Sequence, residues 1–442
     1  MRQPHLTLEA LGRLARGGEP AGRVVVELFR HLLSICPECR QAWRESAMPA
    51  LGRSKGRYRG VVARAVQSVR LRGADLERER REAPDLVREL IQGTEAEQIA
   101  RFELDARFRT WGVCDLLINE SHQAAFEDPL TAEALAGLAI NLAERLEPEA
   151  YGPAFLCDVR AMAWAYLGNA RRVSSDLRGA ADAIRHAEQL LELGTGDPLC
   201  RAHVLSLKAS LLRAQRRFEE SQQLLEEVVE IYRRAADSHL VGLTLVQKAT
   251  GYRYQGMTAG AIALLERALP LIDAGRDPRL ALCARHNLAE CFIETGRLDR
   301  AEASLAAIRE EYPRAGGHLD RLMLSWLEGR LAAARGELEK AEAALTETRA
   351  GFIERQIGYD AALVSLDLAC LFAERGELGR VKELALEMLP IFRSRDVHRE
   401  ALAALAIFQQ AALGESLSVV VVKSVAAYLR RARRDPSLRF ES

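Results

Sequence analysis

Apolar residues along most of this chain recur every three or four positions, the spacing that keeps them on one face of an α-helix. The pattern also repeats on a longer scale. HNLAECFIETGRLDRAEASL (286–305), WLEGRLAAARGELEKAEAAL (326–345) and LDLACLFAERGELGRVKELA (366–385) superpose at steps of 40 residues, and the same step reaches back to segments starting at Ser206 and Val246. One earlier copy, around Leu167 to Ile184, fits after a one-residue shift.

The repeated columns have a physical meaning. One column is always small: Gly168, Ala209, Ala249, Ala289, Gly329 and Ala369. Such a column suits the close crossing of two helices. Seven residues on stand Gly256, Gly296, Gly336 and Gly376, which supply the positive φ that ends a helix. Further on come a second, mostly small column (Ala180, Ser221, Ala261, Ala301, Ala341, Val381) and, four residues beyond it, Ile184, Leu225, Leu265, Leu305, Leu345 and Ala385. A spacing of four keeps the last two columns on one helical face. Each unit is therefore an antiparallel helix pair whose apolar face is completed by its neighbour, and the expected fold is an all-α solenoid.

This arrangement of small, glycine and apolar positions resembles the tetratricopeptide repeat (TPR) family, although its period exceeds the family's usual length of about 34 residues. It looks like the longer-helix variety found in bacterial signalling regulators. The resemblance covers 157–395. Residues 84–156 and 396–442 read as a helical capping region and a C-terminal helical cap and tail.

Composition narrows the picture. The 442 residues carry 62 basic and 62 acidic side chains, so no global field favours nucleic acid or an anionic membrane. No apolar run approaches the roughly 18 residues needed to span a bilayer. His5, Glu9 and Arg13 interrupt any signal-peptide core, so a cytoplasmic protein is expected. Eight cysteines are too sparse for a disulfide framework. Cys157, Cys200, Cys283, Cys291 and Cys370 stand singly in helical patterns and read as small core residues.

The segment HLLSICPECR (31–40) breaks the monotony. It ends the second of two short helices separated at Gly17-Gly18-Glu19-Pro20, and its C-x-x-C turn lets Cys36 and Cys39 face one point. His31 lies about one helical turn back, and His5 at the start of the first helix is a fourth candidate for tetrahedral zinc. Three readings stay open for this module, residues 1–45: a structural zinc knuckle, a redox pair, or unrelated surface cysteines. The segment resembles the N-terminal zinc-binding module of bacterial anti-sigma factors, whose second helix ends in H-x3-C-x2-C. That resemblance implies His5, His31, Cys36 and Cys39 as zinc ligands, with one more residue between His31 and Cys36 than the family has.

Residues 46–83 follow as a basic linker and helix. Between 46 and 74 there are seven basic side chains (Arg53, Lys55, Arg57, Arg59, Arg64, Arg70, Arg72), whose functional reading is contact with nucleic acid or an acidic protein surface. The bland reading is a solvated linker with a short docking helix, and in anti-sigma factors a helix at this place holds a sigma factor.

No G-x-x-x-x-G-K-[ST], G-x-S-x-G or H-E-x-x-H occurs, so an enzyme is not expected. Histidines 186, 203, 239, 286, 318 and 398 are scattered, most of them at surface or groove positions. In TPR arrays the first helices of successive hairpins line a concave groove. By register that groove should display Ser210, Arg213, Gln247, Arg253, Tyr254, His286, Asn287, Glu290, Trp326, Arg330 and Asp367. These polar and aromatic residues can bond a peptide backbone and anchor side chains. The expected role is a non-enzymatic adaptor or regulator that binds a peptide or protein partner, such as a sigma factor or signalling protein. The alternative is a transcriptional regulator touching DNA through residues 53–72.

Overall fold

A computed structural model describes residues 59–125, 128–174, 176–315, 317–355, 357–393 and 419–432. Every regular element among them is helical. They form two compact units: residues up to Gln215 with 223–237, and 216–222 with the chain from Ser238.

The first unit contains α1 (Arg59–Leu90), α2 (Glu95–Leu104), α3 (Trp111–Ala124), α4 (Pro129–Ala143), the single turn α5 (Pro148–Tyr151), α6 (Pro153–Val173), α7 (Leu177–Glu192) and α8 (Pro198–Ala214). Helix α9 (Phe218–Arg234) gives its first residues to the second unit and the rest to the first. Short-range chemistry sets several starts. Asp128, Asp197 and Asp277 each accept a backbone N–H of the following helix, and each is followed by proline at the first helical position, where a missing N–H costs nothing. Thr94 and Glu97 close a reciprocal capping box at α2.

The core of the first unit gathers Val87 and Leu90 of α1, Phe102 of α2, Val113 and Leu117 of α3, Leu138 and Leu142 of α4 and Leu156 of α6. Three polar locks supplement it. Glu79 of α1 accepts the Gly112 N–H at 3.1 Å and the Tyr151 hydroxyl at 2.9 Å. A Cβ on Gly112 would stand 2.5 Å from the Glu79 backbone, so α1 and α3 approach here as closely as glycine permits. Asp158 of α6, 7% exposed, takes both the backbone N–H (3.2 Å) and the hydroxyl of Thr195, tying down the α7–α8 turn. Ser121 of α3 donates to the Ala132 carbonyl of α4 at 2.8 Å.

The second unit runs through α10 (Ser238–Tyr254), α11 (Thr258–Ala268), α12 (Pro278–Glu294), α13 (Leu298–Ala315), α14 (His318–Ala334), α15 (Leu338–Glu354), α16 (Gly358–Glu374), α17 (Leu378–Arg393) and α18 (Val419–Ala432). Its hairpins follow the expected columns. Ala249, Ala289 and Ala369 are buried, as are Ala261, Ala301, Ala341 and Val381, and Leu265, Leu305 and Leu345. The small column faces the leucine column directly: a Cβ on Gly329 would come within 2.9 Å of Leu345, and in the first unit one on Gly168 within 3.0 Å of Ile184. Gly256, Gly296, Gly336 and Gly376 all adopt φ between 71° and 78°. In each case the next residue donates back to the carbonyl five positions earlier, as in Met257 to Tyr252 and Arg297 to Phe292, both at 2.9 Å. This is the hydrogen bond that closes a helix end around a left-handed residue. The same column holds Arg216 at φ 62°, where glycine stands in the later copies.

Two expectations need correction. Cys291 is buried and Cys157, Cys200 and Cys370 half-buried, but Cys283 is exposed, because its position on α12 faces away from the hairpin crossing. Among the histidines, most of them expected at surface or groove positions, His239 is buried, and its Nδ1 accepts the Asp273 N–H at 3.2 Å. Among the described residues no helix is long and apolar enough to cross a membrane.

Candidate functional site

On the first helices of the second unit, three consecutive hairpins contribute to one polar network. Arg253 near the end of α10 donates to Asn287 Oδ1 and Glu290 Oε2 of α12, and Arg330 of α14 donates through Nη1 to the other Glu290 oxygen at 3.3 Å. The register explains the meeting: Asn287 and Glu290 lie three apart on one helical stripe, and Arg253 and Arg330 flank it from the preceding and following hairpins. The side chains are deeply placed, with Arg253 6%, Arg330 11% and Glu290 18% exposed. Burial works against the Arg253 charge, but the Glu290 carboxylate beside it carries the guanidinium above its ordinary range. Arg253 Nε is buried without a hydrogen-bond partner among the described residues.

His286 lies one turn before Glu290 on the same stripe of α12. Both ring nitrogens are shielded from water and lack a hydrogen-bond partner among the described residues. Burial lowers its pKa and so favours the neutral ring, against the opposing pull of Asp320 of α14 and of Glu290. Asn287 also donates to Cys283 Sγ at 3.6 Å, so an exposed thiol borders the network. Sequence reasoning reads Cys283 as a core residue and passes over Asp320. Cys283 could have been found from its place three and four residues before His286 and Asn287.

The remaining candidates separate. Gln247 and Tyr254 are half-buried and engaged with neighbours. Trp326 is 5% exposed, stands edge-on to Phe352 of α15 at 6.0 Å, and donates its indole N–H to Asp367 Oδ2 of α16 at 2.8 Å. It is a core side chain, and Asp367, also buried, is spent on holding it. The register placed both on the displayed face, but they are buried against each other, Trp326 on one hairpin and Asp367 on the next. Ser210 and Arg213 belong to α8 of the first unit, Ser210 buried and Arg213 half-buried and engaged.

The proposed zinc ligands His5, His31, Cys36 and Cys39 lie outside the described residues, as do Arg53, Lys55 and Arg57. Arg59, Arg64, Arg70 and Arg72 fall on α1, which continues unbroken to Leu90 and so spans the expected division between 83 and 84. Among the described residues no group of three or more His, Cys, Asp or Glu side chains could hold a metal ion.

Known proteins bear on this geometry. Two models of the tetratricopeptide repeat match the chain, over residues 200–274 and 252–324. The chain contains TPRs. No curated protein matches its sequence. Among solved structures it is similar to a Rap protein complexed with Competence and Sporulation Factor, with TM-score 0.54 and 14% identity over 73% of this chain and 87% of that one. Aspartyl phosphate phosphatase F from Bacillus subtilis gives 0.50 and 13% over 88% and 96%. A STAND signal-transduction ATPase with a TPR sensor, from Pyrococcus horikoshii, gives 0.53 and 12% over 98% of this chain and 63% of that one. At these identities the likeness is one of fold, a TPR-like helical solenoid.

Proposed function

We propose that the chain is a non-enzymatic interaction protein whose first-helix face in the second unit binds an extended peptide segment of a partner. The observation that carries this reading is His286. A neutral imidazole has one donor and one acceptor, and leaving each buried and unpaired costs on the order of 1–3 kcal/mol. Two nitrogens of this kind suit the alternating N–H and C=O groups of a peptide backbone, which reaches them when the side chains now shielding the ring are displaced. Arg253 Nε adds a third unpaired polar atom on the same face. The TPR matches support the reading, since 252–324 includes Arg253, His286, Asn287 and Glu290. So does the similar Rap protein, which was crystallised with Competence and Sporulation Factor.

The test is comparative affinity capture with the full chain. A partner retained by the wild type should be lost with His286→Leu, which keeps bulk and removes both nitrogens. It should survive Arg309→Gln, a change on α13 away from the face. Retention by His286→Leu would defeat the proposal, and salt-sensitive DNA binding untouched by either change would favour the DNA-contacting regulator instead.

A further inference from the structure

The charges on this face are uneven, which bears on what the peptide must carry. Glu290 is divided, with one oxygen on Arg253 and the other on Arg330, so two nearly buried guanidinium groups share one carboxylate. Arg330 uses Nη1 alone, and its remaining N–H groups have no partner among the described residues. Other acids nearby do not close the gap at Arg330: Glu294, exposed to solvent, acts on Arg253, Asp320 acts on His286, and Asp367 Oδ2 holds the Trp326 indole. An arginine this shielded gains most from a planar, two-oxygen acceptor on its open edge.

We infer that the bound segment presents an aspartate or glutamate side chain to Arg330, whose carboxylate completes the arginine pairing that Glu290 leaves half made. This rests on the peptide-binding reading above and narrows it to an acidic ligand. Glu290 then acts as an internal competitor. It keeps both arginines ordered in the empty protein, and its own charge repels the incoming carboxylate, which sets the affinity of the site.

The test uses the full chain and fluorescein-labelled, C-terminally amidated hexapeptide pools, each with one fixed position and the others randomised, read by fluorescence anisotropy. Pools fixed as Asp or Glu should bind on the order of tenfold more tightly than the matching Asn or Gln pools, as a charge-assisted hydrogen bond predicts. Arg330→Gln should erase that preference. Arg330→Lys, which keeps the charge but loses the fork, should retain part of it and serves if the glutamine variant does not fold. Glu290→Gln should strengthen acidic pools selectively, a change that a merely structural role for Glu290 would not produce. Equal binding of acidic and amide pools overturns the inference and leaves the groove reading intact. Preference unchanged in both Arg330→Gln and Glu290→Gln overturns it as well. Failure of every pool to bind overturns both readings.

Discussion

The start of the first unit and the hairpins of the second are both helical, yet they are held together differently. From α1 to the α7–α8 turn the elements meet through individual fittings: Glu79 on Gly112 and Tyr151, Ser121 on Ala132, Asp158 on Thr195. From α10 onward the same small-to-leucine crossing is used again and again, and single polar contacts such as Trp326 to Asp367 are added to it. A repeated crossing spreads stability over equivalent contacts between neighbours. A single lock concentrates it in one place, so the two regions should fail differently.

The largest effect is expected at the repeated crossing. Ala289→Trp would insert a large side chain where nothing but a methyl group is accommodated, and should cost about 3 kcal/mol or more in urea unfolding. Hydrogen exchange should loosen α12, α13 and the adjoining hairpins while leaving α3 and α4 protected. Uniform loosening would mean that the second unit does not behave as a repeat array.

Next is a lock in the first unit. Asp158→Ala would strip the Thr195 N–H and hydroxyl of their acceptor, at a cost of about 2 kcal/mol. The exchange should be confined to the α7–α8 turn and the adjoining ends. An effect that spread evenly would erase the contrast between the two regions.

Much of the fold could be read from the amino acids because repetition averages over context. Gly329, Ala289 and Ala249 meet the same kind of environment, so a rule inferred from one copy holds for the next. The locks were not legible for the opposite reason. Glu79 and Tyr151 lie far apart in sequence, and no second copy of the pair exists to betray it. The candidate face falls between these extremes. Register put Arg253, Asn287, Glu290 and Arg330 on one face, and the four meet in one hydrogen-bonded network, because helical stripes add up. It misplaced Trp326, whose burial depends on Phe352 in its own second helix and Asp367 in the next hairpin.

A smaller change should run the other way. Arg216 adopts a left-handed conformation at the turn where later copies have glycine, and Arg216→Gly should raise stability by about 1 kcal/mol, measured by thermal or urea unfolding. A loss would mean that the Arg216 side chain, stacked 5.2 Å from the Phe218 ring, matters more than its backbone.

The smallest effect concerns pH. Burial raises the pKa of Glu79 above its ordinary value, outweighing the hydrogen bonds from Gly112 and Tyr151 that lower it. A folded pKa above the unfolded one means that the favourable contribution is present in full below the unfolded value and is lost as pH rises through the folded one. The stability of the wild type relative to Glu79→Gln should therefore fall as pH is raised from about 4 towards 7. A difference that grows with pH would show that the ionised carboxylate is the favoured partner of Gly112 and Tyr151.

The Asp-Pro pairs at the starts of α4, α8 and α12 have a consequence for how such a chain can lengthen. The start of each of these helices is written in two adjacent residues and does not wait for a partner from elsewhere in the fold. A segment copied together with such a pair brings its own phase, so its apolar stripe faces the preceding hairpin from the moment it forms. Growth by duplication then needs no simultaneous change in the older repeats, and the polar stripe opposite is free to diverge.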